Sequence, residues 1–262
     1  RNPHTGITRF DEGLKPIPSA ALSLPDADQL ARLLALGPVK IALELDSGWT
    51  GEYTSQNVIG EITGRSKPGE VVVIGGHLDS WDLGTGALDD AAGIGNVIEA
   101  ARLISKLASR PRRTIRIVLY ANEEFGLSGG ETYAVAHAEE VPLHQAALES
   151  DLGTGRVYRL RTAFAPQDAA LAGELAAALA PLGIEHDASV AATGGADISP
   201  LRPLGVPMID LSHDATTYFD FHHTANDTFD KVDPALVRQN VAAYAAIAYL
   251  ATQADGGFGR LP

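Results

Sequence analysis

The sequence contains no cysteine, which removes disulfides and thiolate metal sites and leaves histidine, aspartate and glutamate as the only strong metal ligands. Basic residues are scarce too. Twenty lysines and arginines stand against 33 acids, a net charge of -13 that repels phosphate backbones, and no basic cluster offsets it. Nucleic acid is therefore excluded as a partner. No apolar run approaches the roughly 20 residues of a spanning helix, so no membrane partner is expected. The chain opens at Arg1 without a Met start or the basic, apolar and small-residue order of a signal peptide, and reads as processed or truncated. The acidic balance suits a secreted or periplasmic protein.

At 262 residues and 45% hydrophobic, the chain can bury one full core. Residues 1–52 read as an N-terminal arm or the remnant of a preceding domain, and residues 53–262 as the main domain. Within the arm, Asp26–Leu36 has helical spacing before Gly37-Pro38, and Val39–Leu45 reads as a strand paired across Asp46-Ser47-Gly48 with a second strand, Thr54–Thr63. Strands and helices then alternate. Val71–Ile74, Thr114–Ala121, Ala146–Glu149, Val157–Thr162 and Val206–Leu211 read as strands, and Ala92–Leu107, Gly129–Ala138, Gln167–Ala180 and Pro234–Ala251 as helices. This predicts an α/β fold with a mostly parallel central sheet covered by helices on both faces.

Polar residues fall just past the strands. His77 and Asp79 follow the first, Glu123 and Glu124 the second, and Asp151 the third. Strand ends of an open α/β sheet line one crevice, so three remote segments deliver an imidazole and several carboxylates to one place. Gathered acids repel unless cations neutralise them, and bound metal is the simplest remedy. Plainer explanations exist for single residues. Asp79 reads equally as a turn cap, Asp90 as the N-cap of the next helix, and Glu123-Glu124 as an acidic pair at a helix start.

These segments resemble peptidase family M28, the co-catalytic zinc aminopeptidases and carboxypeptidases. The resemblance rests on His77-Leu78-Asp79, Asp89-Asp90-Ala91-Ala92-Gly93, Glu123-Glu124, Asp151 and a late His223 four residues before Asp227. Gly75–Asp82, Phe221-His222-His223-Thr224 and the early Pro3-His4-Thr5-Gly6 are closest to the plasma glutamate carboxypeptidase (carboxypeptidase Q) branch, whose members carry a longer N-terminal region. The resemblance implies two zinc ions, held by His77, Asp151, Glu124 and His223 with Asp89 bridging. It implies Glu123 as general base and a cis peptide between Asp89 and Asp90, with Asp79 supporting the catalytic geometry, its carboxylate accepting from the far nitrogen of His77 or holding the bridging arrangement. The expected partner is a short peptide, cleaved at one end by a water bridging the two ions. Asp197, Tyr218 and His222 are expected at the substrate, and a homodimer is an open assembly. On an extended segment neighbouring side chains point apart, so only one of His222 and His223 should reach metal, and the spacing to Asp227 selects His223.

Rival chemistries are weaker. Gly126-Leu127-Ser128-Gly129-Gly130 fits the Gly-x-Ser-x-Gly elbow of serine hydrolases, but that elbow places Ser128 at a strand tip and Asn122–Phe125 intervene. A non-catalytic relative, or a single-zinc relative of the glutaminyl cyclase type, would not require the full ligand set.

Overall fold

The structure, a computed structural model, describes residues 2–48 and 50–261; Arg1 and Trp49 of the expected arm, and Pro262, lie outside the described residues. Strands β1 (Val58–Ile62), β2 (Lys67–His77), β3 (Arg113–Tyr120), β4 (His144–Glu149), β5 (Val157–Ala163), β6 (Glu185–His186) and β7 (Met208–His213) form one sheet. Its order is β1-β3-β2-β4-β7-β5-β6. The central strands β3, β2, β4 and β7 run parallel, whereas β1 and β5 pair antiparallel with β3 and β7. The α/β expectation of a mostly parallel sheet therefore holds, with β1 and β5 supplying the antiparallel pairings.

Helices α2 (Ala92–Ser105), α4 (Ala169–Leu179) and α5 (Pro234–Gln253) cover one face. Helix α3 (Ser128–Ala136) and the segment through Ile198 and Leu201 cover the other. Strand β2 shows why both faces are needed. Val72 and Ile74 point to the face of Val97, Ile104, Tyr244 and Ile247, while Val71 and Val73 meet Tyr133, Ile198 and Met208. Each fully buried branched side chain contributes roughly 1.5–3 kcal/mol relative to exposure, so a valine run suits a central strand better than an alternating one. Arg113, also buried, is held by Glu70 and by the carbonyls of Ala254 and Gly256, tying β3 to the end of α5.

The sequence expectations fail mainly in the arm. Helix α1 (Leu24–Leu36) forms, capped by Ser23 Oγ on Asp26 N at 3.3 Å, but buries none of its residues. Val39–Leu45 is not a strand, and Ile41, Leu43 and Leu45 are exposed. The expected partner, Thr54–Thr63, supplies β1, which pairs with β3 instead and ends the sheet with its outer edge unpaired among the described residues. Strand β2 also runs further than expected and ends on His77 itself.

Two buried histidines make stability depend on pH. His144 donates Nδ1–H to the Glu140 carbonyl and accepts from the Tyr133 hydroxyl, and burial holds its pKa down at about 4. His213, beside Tyr244, is lowered to about 4 by the same cause. The unfolded chain binds these protons below about pH 6.5 and the folded protein does not, so stability is lost as pH falls towards 4. Denaturant titrations should show a loss on the order of 3 kcal/mol per histidine across this window. Replacing His144 by Asn should flatten that slope; an unchanged slope would refute its contribution.

Candidate metal centre

Register brings the site together. His77 ends β2 opposite Tyr120 of β3, and Gly75 pairs with Glu149 of β4. Glu123 lies three residues past Tyr120 and Asp151 two past Glu149, so all three reach the same carboxyl edge. Asp89 and Asp90 come from the turn Ala87–Ala91 that leads into α2, and the peptide between them is cis, as the resemblance implies.

Asp89 is the centre of the arrangement. Its Oδ1 lies 3.2 Å from His77 Nε2, which is itself 3.5 Å from Asp151 Oδ1. Its Oδ2 lies 3.4 Å from His223 Nε2, which is 2.8 Å from Glu124 Oε2. One carboxylate thus faces two sets of ligand atoms, His77 with Asp151 on one oxygen and His223 with Glu124 on the other. Burial alone would raise the Asp89 pKa, but His223 and His77 outweigh it and hold the group below the usual carboxylate range.

The neighbouring residues fix Asp89 in place. Asp227 accepts from Leu88 N at 2.6 Å and Asp89 N at 3.1 Å. Asp90 accepts from Gly93 N and His77 N, both at 3.1 Å, so it caps the start of α2 and also ties that helix to β2. The capping explanation for Asp90 is therefore half of its role. Gly93 has no space for a side chain, because a Cβ would stand 1.9 Å from the Ser150 carbonyl and 2.1 Å from Asp90 Oδ1.

The donor set fits divalent cations. Two imidazoles and several carboxylates are suitable ligands for zinc. Asp89 Oδ2 and Glu124 Oε1 are also buried without a hydrogen-bond donor, as ligand oxygens would be. Burial, with Asp151 nearby, raises Asp90 and lifts Glu123 to about 7, a sign of negative charge short of compensation. Glu123 lines a cavity of about 230 Å³ together with Asp89, Asp151, Tyr218, His222 and His223. No hydrogen bond among the described residues ties its carboxylate.

Two expectations need correction. The segment bearing His222 and His223 is not extended: Tyr218–Asp220 is a 3-10 turn, His222 N bonds the Tyr218 carbonyl, and His223 has φ 55°. The two rings consequently stack at 3.7 Å on the same side, and His222 Nε2 also reaches Asp89 Oδ2, at 3.2 Å. Asp79 does not hold His77 through its carboxylate either. The Asp79 carbonyl accepts from His77 Nδ1 at 2.9 Å, while its side chain accepts from Glu123 N at 3.0 Å and Glu124 N at 3.2 Å. The turn after β2 presents the carbonyl to the ring and leaves the carboxylate to fix the Glu123-Glu124 turn.

Tyr218 and His222 line the cavity, but the Asp197 carboxylate is buried, and only its neighbours Gly194, Gly195 and Ala196 reach an adjoining cavity with Asp151. Ser128 is not at a strand tip: it opens α3, and its hydroxyl accepts from Asn122 Nδ2 at 2.8 Å. His137, which lines the same cavity as Ser128, lies nine residues further on, roughly 13 Å at helical rise. The sequence had not singled out the aromatic column. Trp81 stacks on His223 at 4.6 Å and on Phe125 at 5.0 Å, and Trp81's place inside the His77–Asp82 motif was the available signal.

Replacing Asp79 by Ala removes both acceptors that hold the Glu123-Glu124 turn. It should lower activity or metal affinity about 10- to 100-fold while the protein stays folded, and wild-type values for both would refute this role.

The profile of Peptidase family M28 matches residues 57–248. Carboxypeptidase Q of Mus musculus is 36% identical over 256 residues, covering 97% of this chain and 54% of that protein. The Homo sapiens protein is 36% identical over 251 residues, covering 95% and 52%. The chain thus spans about half the length of these curated relatives. A crystal structure of a peptidase M28 precursor from Shewanella amazonensis SB2B superposes with a TM-score of 0.91 at 43% identity, covering 99% of this chain and 59% of that one. A profile match over most of the chain, together with relatives this similar, shows that the chain belongs to peptidase family M28.

Proposed function

We propose that this chain is a dinuclear zinc exopeptidase that hydrolyses a terminal peptide bond of short peptides. The observation that carries this is the two-sided Asp89 carboxylate, whose oxygens face His77 with Asp151 and His223 with Glu124. Those five residues would hold the two ions, with Asp89 shared. When bound, the metals polarise the scissile carbonyl and lower the pKa of water.

The remaining steps fall to side chains of the cavity. Glu123 faces the cavity with an untied carboxylate, positioned by the Asp79 clamp on its backbone. It takes a proton from the attacking water as the new C–O bond forms, and returns it to the leaving amine as the C–N bond breaks. Tyr218 and His222 line the same space and would contact the substrate, while Gly194–Ala196 border its extension. A cavity of about 230 Å³ suits a short peptide end rather than a folded chain. Export to a secreted or periplasmic compartment belongs to the same proposal and rests on the acidic balance alone.

Chelation should abolish cleavage of unblocked dipeptides and zinc add-back should restore it. Two zinc ions per chain are expected by elemental analysis, and one or none would overturn the dinuclear reading. Glu123→Gln should retain both ions and lose about 10²- to 10⁴-fold in kcat. Turnover at the wild-type rate would overturn the base assignment.

A further inference from the structure

Resting on the dinuclear reading, we propose that the N-terminal residues His4 and Thr5 are positioning residues of the metal centre, fixing His222 and His223 from behind. Thr5 grips His223 at two points. Its carbonyl oxygen lies 2.9 Å from His223 Nδ1, and its Oγ1 donates to the His223 carbonyl at 2.9 Å. His4 Nε2 lies 2.6 Å from His222 Nδ1, with the two rings edge to face at 4.9 Å.

A carbonyl oxygen only accepts, so His223 must carry its proton on Nδ1. Nε2 is then the ring atom turned between Asp89 and Glu124, the orientation a metal ligand requires. His77 is fixed by the same device, from the carbonyl of Asp79. That carbonyl is two residues away, whereas the one holding His223 is 218 residues away. His223 has a left-handed backbone in a turn, between His222 on one ring face and Trp81 on the other. Stacking sets the plane of the ring but not which edge faces the ligands; the Thr5 carbonyl does that.

His4 and Thr5 lie outside the 57–248 region that carries the family profile and inside the stretch that reads as an arm. The boundary drawn at residue 52 therefore does not separate function: the start of the arm belongs to the centre.

The test is chelator-competition titration with zinc on metal-free wild type and on His4→Phe, Thr5→Val and the double variant, with kcat and KM measured at saturating zinc. The double variant should bind one of its two ions about 10- to 100-fold more weakly. Its thermal unfolding without metal should match wild type, and Thr5→Ser should restore affinity. Wild-type affinity for both ions in the double variant would overturn the proposal. So would an equal loss in Thr5→Ser, since that hydroxyl still reaches the His223 carbonyl. His4→Phe alters an exposed ring and keeps the question decidable if the Thr5 variants misfold. A wild type that binds fewer than two ions would instead defeat the dinuclear reading, so the two failures are distinguishable.

Discussion

One carboxylate between two imidazoles governs this structure. Asp89 is buried with His77 on one oxygen and His223 on the other, and further acids crowd the same strand edge. Like charges at this density destabilise a fold unless positive charge is brought among them. The surrounding architecture holds Asp89 between these groups. Asp227 grips the backbone of its turn, Asp90 ties that turn to β2, and Gly93 lets α2 start against the Ser150 carbonyl.

The sheet supplies precision that loops alone would not. Parallel pairing of β3, β2 and β4 puts three C-terminal ends side by side, and a one-residue slip would turn His77 to the opposite face. The rigid part of the centre therefore comes from strands buried on both faces. His222 and His223 come from an irregular segment after β7 and are supported from outside it. That support arrives as an aromatic column on one side and the start of the chain on the other.

Several properties were legible in the sequence because they are local. Runs of branched apolar residues leading to His77 and Tyr120 mark buried parallel strands, and polar residues just past them mark a crevice. The absence of cysteine narrows the ligands to imidazole and carboxylate, and the Asp89–Gly93 and Glu123-Glu124 patterns carry the family resemblance. The arm was misread for a related reason. Val39–Leu45 alternates like a strand, but alternation states only which faces a strand would have, not whether the segment docks on a sheet edge.

The sequence by itself determined the class of fold and most of the imidazole and carboxylate residues that meet at the sheet edge, since strand register follows from hydrophobic pattern and carries them there. Tertiary structure decided the rest. It made Asp79 a clamp for the Glu123-Glu124 turn rather than a partner for His77 through its side chain, and it stacked His222 on His223 where an extended chain would have parted them. It also brought Thr5 to His223 across 218 residues. The physical reason is the same in each case: hydrogen-bond partners and ring contacts depend on turn geometry and on the closure of distant segments, and neither leaves a periodic signal in the chain.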